Sequence, residues 1–392
     1  MKKLITGVSL IVILLSQLSY GEDITQLWAK TYNGMTNSED AGNAIAVDNG
    51  GNVYVAGYET VTGWGTNIWI KKYDSNGMDV WVRSYNGNAN KDDKGNGITV
   101  DNSGNVYVTG FETVNGQGTN VWIRKYDSNG NEVWTKTYNG IANGDDAGNA
   151  VAVDNSGNVY VTGYETIAGE YENIWTRKYD VNGTEVWTKT YNGAVNAFDT
   201  GNAIVTDSKG NVYVTGREAA AGQGWNVWTR KYDSYGTELW TKTYNGKSNG
   251  DDVGNGIALD ARGNVYVTGF EGLAKPGWDI GNIWTKKYDS YGTDIWTKAN
   301  GVNGVATGIA VDSSGNAYIT GSEGLAGTSN ILLKKYDSFE IEVWVKTFGP
   351  HALGKGIAVD NNGNVYVTGY ETDAGQGLNV TVRKYNQLLF RK

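Results

Sequence analysis

Cysteine is absent from this 392-residue chain, and histidine occurs once, at His351. The lack of cysteine excludes disulfides, thiolate zinc sites, a cysteine nucleophile and a lipidated N-terminal cysteine. A single imidazole is too few for most zinc or iron sites, and general-base chemistry at neutral pH most often uses histidine. These absences argue against most catalytic and metal centres.

Proline is almost as scarce, with two residues, whereas the chain has 56 Gly, 15 Trp and 26 Tyr. Many flat aromatic residues favour extended strands, and glycine favours the tight turns between them. Beyond the N-terminus, no stretch of about ten residues has the apolar period of an amphipathic helix. We therefore predict an all-β protein that packing alone stabilises.

The chain begins with two lysines after Met1, then an apolar run at 4–18 and a small-residue site ending at Gly21. This order is typical of a secretory signal peptide, and the run is shorter than the about 20 residues that a membrane-spanning helix needs. We predict removal of residues 1–21 and a secreted, periplasmic or cell-surface protein without membrane insertion. Losing both lysines takes the net charge from −9 to −11, which argues against a nucleic-acid partner.

Internal repetition is the strongest signal in the sequence. The segment at 42–48, Gly-Asn-Ala-Ile-Ala-Val-Asp, returns four times with a fixed step of 53 residues, and two looser copies follow. The close copies begin at Gly95, Gly148, Gly201 and Gly254, and the looser ones end at Asp312 and Asp360. The chain therefore contains seven copies of one unit.

Each copy contains four short apolar or alternating runs bounded by turn residues, which predicts four strands, A to D. In the second copy they are 97–100, 105–112, 120–126 and 132–138. The A–B and C–D links are short and contain glycine, as in tight hairpins. The B–C link at 113–119 and the D–A link at 139–149 are longer, so we expect one face to carry the long loops. We expect functional residues on that face, because binding residues are common on loops.

The two chain ends predict ring closure. A copy of the strand D segment occurs at about 27–34, before the first strand A, and the last copy ends after strand C at Tyr385. The N-terminal strand would complete the last blade and remove an exposed sheet edge. We predict a seven-bladed β-propeller of four-stranded antiparallel blades, formed by residues 22–392 as one domain.

Tryptophan recurs at fixed places in the repeat. Trp122 of strand C and Trp134 of strand D each have counterparts in most other copies, at Trp69, Trp175, Trp228 and Trp284, and at Trp28, Trp81, Trp187, Trp240, Trp296 and Trp344. We interpret them as wedges between blades; the alternative is a ring of sugar-stacking platforms. Trp64, Trp225 and Trp278 lie outside this register, in the B–C links, and are candidates for exposed stacking.

A basic pair precedes the strand C tyrosine in every copy, for example Arg124-Lys125. Adjacent strand residues point to opposite faces, so the pairs do not form one basic groove. We expect them to pair with carboxylates across the strands.

The segment at 101–110, Asp-Asn-Ser-Gly-Asn-Val-Tyr-Val-Thr-Gly, with Gly95–Val100 before it, resembles the SBBP repeat of seven-bladed β-propellers. The resemblance implies a secreted or surface-exposed propeller and no particular reaction. The turn from Asp127 through Gly130 to Trp134 also looks like the tryptophan-docking turn of quinoprotein dehydrogenases, whose cofactor commonly lies over a cysteine pair that is absent here. Streptogramin lyases have similar repeats, but their chemistry relies on histidine.

Two carboxylate series belong to the predicted long-loop face. Glutamate ends strand B in all seven copies, at Glu59, Glu112, Glu165, Glu218, Glu271, Glu323 and Glu371. Aspartate precedes strand A in five, at Asp40, Asp93, Asp146, Asp199 and Asp252. The aspartates could form a partial ring of oxygen ligands for Ca²⁺ near the channel. The alternative is that both series cap loop amides or pair with the repeated cations.

We therefore predict a monomeric binding or scaffold module with a glycan or protein ligand and no evident catalytic site. The candidate binding residues are the glutamate series with Trp64, Trp225, Trp278 and His351; Ca²⁺ is the one cofactor considered. The alternative is a polysaccharide lyase or hydrolase on the same face, using His351 or a Glu and Asp pair. The last two copies depart most from the repeat, so we expect any asymmetric site there.

Overall fold

The computed structural model describes residues 20–273, 281–324, 328–373 and 375–391. These residues form 27 antiparallel β-strands and, within the described ranges, no helix. The prediction of an all-β fold is therefore confirmed. A helix long and apolar enough to cross a membrane is likewise not found among these residues.

The strands follow the sequence repeat, and each copy of the repeat is called a unit. The units are numbered 1 to 7 in chain order, beginning with the unit that starts at β2. Unit 1 has β2 (Ala41–Val47), β3 (Val53–Val61), β4 (Gly65–Tyr73) and β5 (Asp79–Tyr85). Unit 2 has β6 (Lys94–Val100), β7 (Val106–Val114), β8 (Gly118–Tyr126) and β9 (Glu132–Tyr138). Unit 3 has β10 (Ala147–Val153), β11 (Val159–Ile167), β12 (Tyr171–Tyr179) and β13 (Glu185–Tyr191). Unit 4 has β14 (Thr200–Thr206), β15 (Val212–Ala220), β16 (Gly224–Tyr232) and β17 (Glu238–Tyr244).

The remaining units share one long strand. Unit 5 has β18 (Asp252–Leu259), β19 (Val265–Gly272), β20 (Gly281–Tyr288) and the first part of β21 (Asp294–Val311). Unit 6 has the last part of β21, β22 (Ala317–Glu323), β23 (Asn330–Tyr336) and β24 (Glu342–Pro350). Unit 7 has β25 (Leu353–Val359), β26 (Val365–Thr372) and β27 (Leu378–Arg391), and β1 (Tyr20–Tyr32) precedes unit 1.

The sheets are antiparallel meanders. Five sheets have four strands each, and a sixth has seven strands because β21 pairs with β20 at one end and with β22 at the other. The sheet of unit 7 takes its fourth strand from β1, which pairs with β27. Trp28 lies opposite Lys384, and Tyr32 lies opposite Val380. Pairing of β1 extends further than the predicted segment of about 27–34, because β27 continues beyond Tyr385 and supplies partners as far as Tyr20.

The B–C link is shorter than the sequence pattern predicts. In unit 2, β7 runs to Val114 and β8 begins at Gly118, so three residues replace the expected link at 113–119. Gly116 and Gly118 adopt φ values of 81° and 69°, which allow this tight turn. The D–A links are the long loops of this face.

The A–B turns are held by an aspartate that accepts several hydrogen bonds. In unit 2, Asp101 Oδ1 accepts the backbone N–H groups of Ser103 and Asn105 at 2.9 Å. Its Oδ2 accepts from Asn105 Nδ2 at 2.8 Å and from the Tyr107 hydroxyl at 3.0 Å. An Asx turn of this kind fixes the hairpin without tertiary contacts. The same aspartate occurs in all seven units.

The strand C tryptophans are wedges between units, as expected. Trp122 of unit 2 is fully buried in a cluster with Ile68 and Ile70 of unit 1. The strand D tryptophans cover the C–D turn of the following unit: a Cβ on Gly130 would lie 2.9 Å from the Trp81 ring. The docking-turn likeness is therefore a packing device that joins successive units.

The basic pairs divide between two structural contacts. The first member forms a cross-strand ion pair, as between Arg124 Nη1 and Glu132 Oε2 at 3.3 Å. The second member crosses to the next unit, as when Lys178 Nζ donates to the backbone oxygen of Ser234 at 3.0 Å. Pairing with carboxylates is thus confirmed for the first member, and the second binds a turn carbonyl.

Candidate ligand-binding site

The first strands of successive units contact one another, and β25 contacts β2. Side chains on these strands join the units in a ladder. The asparagine of each of the first five units donates to a backbone oxygen of the next, in the pairs Asn43–Gly95 (2.8 Å), Asn96–Gly148 (3.2 Å), Asn149–Gly201 (3.0 Å), Asn202–Gly254 (3.0 Å) and Asn255–Ala306 (2.9 Å). Thr307 Oγ1 donates to Gly354 O at 2.6 Å, and Lys355 Nζ donates to Asn43 Oδ1 at 2.9 Å. These contacts place the first strands of the units side by side.

A second layer lies on the long-loop side of the ladder. Each unit contributes two residues to this layer: the residue two positions before its ladder residue, and the residue opposite that one on the second strand. The pairs are Ala41–Tyr58, Lys94–Phe111, Ala147–Tyr164, Thr200–Arg217, Val253–Phe270, Val305–Ser322 and Leu353–Tyr370. Five of the seven partners are aromatic. Arg217 is the one charged residue among them, so the layer is asymmetric.

A cavity of about 580 Å³ opens at this layer, and we call it the Arg217 cavity. Its walls include the Tyr164 and Phe270 rings, Glu172 and Arg217, and three asparagines of the ladder. The asparagines are Asn149, Asn202 and Asn255. Apolar rings and a few convergent polar groups are the usual composition of a ligand site of this size.

Neighbouring strands hold the two charged side chains of the cavity. The Arg217 guanidinium lies 4.0 Å over the Trp225 ring, and its Nε is buried with no hydrogen-bond partner among the described residues. Thr200 Oγ1 donates to Glu172 Oε2 at 3.4 Å. Stacking on an aromatic ring fixes the plane of the guanidinium, and Arg217 lines the cavity.

Burial acts on both charges of the cavity. It raises the pKa of Glu172, and the nearby Arg217 partly offsets this effect. It lowers the pKa of Arg217, with Glu172 acting in the opposite direction. Burial also raises the pKa of the Tyr164 hydroxyl, which disfavours its use as a base near neutral pH. The pair therefore offers a hydrogen-bond donor and an acceptor side by side.

Most of the predicted glutamates accept hydrogen bonds that join neighbouring units. A tyrosine at the end of one unit donates its hydroxyl to the glutamate of the next, in the pairs Tyr32–Glu59, Tyr85–Glu112 and Tyr138–Glu165 (2.5 Å each), Tyr191–Glu218 (2.6 Å) and Tyr244–Glu271 (3.1 Å). Glu371 binds Arg383 Nη2 at 2.5 Å instead, because Phe348 stands where the tyrosine would be. Glu323 follows a unit that has Asn300 at that position. None of the seven lines the Arg217 cavity.

The aspartate series is fully buried and staples the long loops. Asp146 Oδ2 accepts Gly140 N–H at 2.5 Å, and its Oδ1 accepts Thr166 N–H at 2.8 Å. Equivalent bonds are formed by Asp40, Asp93, Asp199 and Asp252. Burial raises the pKa of all five. Within the described ranges, no group of three or more His, Cys, Asp or Glu side chains could hold a metal ion, so the calcium hypothesis gains no ligand set.

The other predicted site residues are scattered. Trp64 is 49 % exposed on a B–C turn, and Trp225 is partly buried beneath Arg217. Trp278 lies outside the described residues. His351 is exposed with a φ of 55° on the loop before β25, and its backbone oxygen accepts a hydrogen bond from Thr372. Trp225 contacts Arg217, a side chain of the Arg217 cavity.

The cavity's central residues were missed by sequence reasoning that sought residues shared by all copies. Arg217 replaces the aromatic residue that follows Thr-Gly in strand B, and Glu172 replaces the threonine of Thr66 and Thr119. A position-by-position comparison of the copies would have found both residues. The residues that line the Arg217 cavity belong to units 3 to 6, and the last two units supply only Val305.

Solved structures with similar folds include a polysaccharide lyase, a ribosomal-protein-bound protein and a β-propeller domain. The polysaccharide lyase Uly1 is 11 % identical and has a TM-score of 0.56, with 88 % of this chain and 90 % of that chain covered. Sqt1 of Chaetomium thermophilum, bound to the N-terminus of ribosomal protein L10, is 12 % identical with a TM-score of 0.53, over 92 % and 98 % of the two chains. The β-propeller domain of the Trilobed protease from Pyrococcus furiosus is 11 % identical with a TM-score of 0.50, over 88 % and 93 %. At these identities the likeness shows the fold alone.

Family assignment rests on the repeat itself. No curated protein matches the sequence. The β-propeller repeat model of the SBBP family matches four segments, residues 80–110, 134–164, 189–217 and 344–370. Each segment runs from strand D of one unit to strand B of the next and contains the ladder residue. The first three segments also contain the aspartate staple. The chain therefore contains repeats of the SBBP β-propeller family.

Proposed function

We propose that this protein is an exported binding module, built as a closed seven-bladed propeller, that takes a glycan in the Arg217 cavity and does not catalyse a reaction. The observation that carries the proposal is the composition of that cavity. It combines two aromatic rings, a guanidinium beside a carboxylate, and side-chain amides in a space of about 580 Å³.

Two observations support seven blades in a closed ring. The strand pairings give seven four-stranded units when β21 is counted once in unit 5 and once in unit 6. The last unit meets the first through the Lys355–Asn43 hydrogen bond and through a buried cluster that holds Tyr366 and Val380 with Ile45 and Val53. Closure of this kind leaves no sheet edge at the chain ends.

The chemistry of the cavity favours a sugar. A pyranose ring has apolar faces that stack on aromatic side chains and hydroxyl groups that both donate and accept hydrogen bonds. Arg217 donates, Glu172 accepts, and the ladder amides can do both. A protein partner would instead be expected to cover a standard interface of about 1,200–2,000 Å², of which a single cavity is a small part.

The repeat supplies variants that should preserve the fold. Arg217→Tyr restores the residue found in units 1, 3 and 7, so it should remove the guanidinium and keep the packing. We expect this variant to lose glycan binding by about tenfold or more, since a lost charge-assisted hydrogen bond is worth about 1.5–3 kcal/mol. The measurement is a glycan array followed by calorimetric titration of the best ligand, with the melting temperature as the check on folding.

Trp64→Ala is the matched control, because Trp64 is exposed on a turn outside the cavity. Binding should survive this change. A lectin that used exposed loop tryptophans would show the opposite pattern, with loss of binding in Trp64→Ala and none in Arg217→Tyr. That pattern, or equal binding by all three proteins, would refute the assignment of the cavity.

The alternative function is a polysaccharide lyase or hydrolase. Glu172 favours it, because burial in the cavity raises the pKa of this carboxyl, as a general acid requires. Incubation of the protein with acidic and neutral polysaccharides, followed by chromatography of the products, tests it. Turnover that Glu172→Gln abolishes and His351→Ala leaves intact would replace the binding proposal with catalysis at this cavity.

A further inference from the structure

Two lysines interrupt the repeat inside the channel, on either side of unit 1. Lys94 of unit 2 occupies a position that is neutral in the other six units, at Ala41, Ala147, Thr200, Val253, Val305 and Leu353. Lys355 of unit 7 occupies the ladder position that is asparagine in five units and threonine in one. Neither substitution follows from the structural needs of the repeat.

Each ammonium group is held against a ring of the aromatic layer. Lys94 Nζ lies 4.5 Å from the centre of the Tyr58 ring, and Lys355 Nζ lies 5.7 Å from that of Tyr370. Tyr58 and Tyr370 belong to units 1 and 7, which are adjacent through the contact of β2 with β25. The two lysines therefore face the same sector of the channel, on the side away from units 3 to 6.

No carboxylate neutralises this pair within the described ranges. Neither lysine forms an ion pair there, and Lys355 has the amide oxygen of Asn43 as its polar partner. Glu39 is exposed and helps to raise the pKa of the Tyr58 and Tyr370 hydroxyls, and Asp92 Oδ1 accepts the Thr66 N–H at 2.9 Å. Burial, with a smaller contribution from Lys94, lowers the pKa of Lys355 to about 8. Two uncompensated like charges in a confined channel destabilise each other until an anion binds.

We propose that Lys94 and Lys355 together bind a carboxylate group of the ligand, so that the glycan taken by this protein is a uronic-acid polysaccharide. This inference rests on the proposed glycan-binding function and adds the class of glycan. The Arg217 cavity would hold one sugar ring, and the lysine pair across the channel mouth would hold the acidic group of another. The chain as a whole carries a net negative charge, which repels anions. A local pair of lysines would allow an anionic group to bind at this place.

The lysine pair can be tested without knowing the natural polysaccharide. Galacturonate and galactose differ at the carboxylate, so they serve as matched probes. Amine acylation at about pH 8, followed by peptide mass spectrometry, reports the reactivity of Lys355 on the intact protein, since a lysine that binds an anion is kept protonated and unreactive. We expect saturating galacturonate to slow the modification of Lys355 several-fold and galactose to leave it unchanged.

Variants that restore the repeat identify the residues. Lys94→Ala introduces the residue of units 1 and 3, and it should abolish the protection of Lys355 by galacturonate. Lys355→Asn introduces the ladder residue of five units, and it should lower the affinity for acidic oligosaccharides about tenfold, as expected for a lost charge-assisted contact. The melting temperature of each variant should be no lower than that of the wild type.

The outcomes separate this inference from the proposed function. Binding of neutral glycans that depends on Arg217, with no protection of Lys355 by galacturonate, would overturn the inference and leave the glycan proposal standing. Protection of Lys355 that Lys94→Ala removes would support the anion site even if no array glycan binds. Protection by galactose as well as by galacturonate would overturn it, because the carboxylate would then have no role.

Discussion

Asp252 should make the protein more stable as the pH falls from neutral to weakly acidic. Its side chain is fully buried, with Oδ2 accepting Gly246 N–H at 2.5 Å and Oδ1 accepting Gly272 N–H at 3.1 Å. Loss of hydration raises its pKa from 3.8 to about 6, and the carboxylates of Glu271 and Asp251 add to the shift. The folded protein thus binds a proton more readily at this site than the unfolded chain does.

The sign and size of the effect follow from linkage. Where the folded state holds more protons than the unfolded state, the free energy of unfolding decreases as pH rises. Between pH 3.8 and about 6 this is true of Asp252. Each pKa unit is worth about 1.4 kcal/mol, so ionisation of this carboxyl lowers the stability by about 3 kcal/mol above pH 6, and the loss is regained as the pH falls towards 3.8.

The effect of Asp252 is isolated by comparing the pH dependence of the free energy of unfolding of the wild type with that of Asp252→Asn. The amide does not titrate, and the other carboxyl groups contribute equally to both proteins. Urea unfolding of both proteins at about pH 7.5 and about pH 5 should show the wild type gaining about 1–2 kcal/mol relative to the variant at the lower pH. Asp233→Asn, in an exposed turn where hydrogen bonds lower the aspartate pKa, is the control and should not show this gain. An Asp252→Asn stability difference that is independent of pH would refute the reasoning.

Three further predictions concern the contacts between units, each measured by urea unfolding. Trp122→Ala should cost about 3–5 kcal/mol because it removes a fully buried wedge, whereas Trp64→Ala should change the stability by less than about 0.5 kcal/mol; equal effects would contradict the packing argument. Tyr138→Phe should cost about 1–3 kcal/mol because the buried Glu165 carboxylate loses its 2.5 Å donor, and a neutral result would show that water replaces the hydroxyl. Gly130→Ala should cost about 1–3 kcal/mol because the new Cβ would lie 2.9 Å from a tryptophan ring at a φ of 78°, and no loss would mean that the turn adjusts.

The parts of the fold that repeat could be predicted from the sequence. Strand D of unit 2 is predicted at 132–138 and observed at Glu132–Tyr138, because Asn131 and the following loop bound it on both sides. The wedge role of Trp122 was predictable for a related reason, since a large aromatic residue recurring at a fixed place is most simply explained by burial. The ends of such a strand can be predicted because the turn residues that bound it are its neighbours in the sequence.

The parts that depend on tertiary contacts could not be predicted in the same way. The extension of β7 to Val114 requires the tight turn at Gly116, which polar residues such as Thr113 do not reveal. The glutamate series was assigned to a binding face because its tyrosine partners lie 27 residues away, in the preceding unit. A carboxylate that is satisfied by a distant hydroxyl has the same sequence pattern as one that awaits a ligand.

The repeat also shows where function is to be sought in this protein. Residues that hold the fold together, such as the A–B turn aspartate equivalent to Asp101, occur in all seven units because every hairpin needs them. Arg217, Glu172, Lys94 and Lys355 are present in single units, and each places a charge in or beside the channel where other units are neutral. Moving a charge out of water opposes folding, so stability alone does not explain these residues. In the proposed closed ring, these four residues would lie around one channel mouth, as a ligand with polar and anionic groups would require.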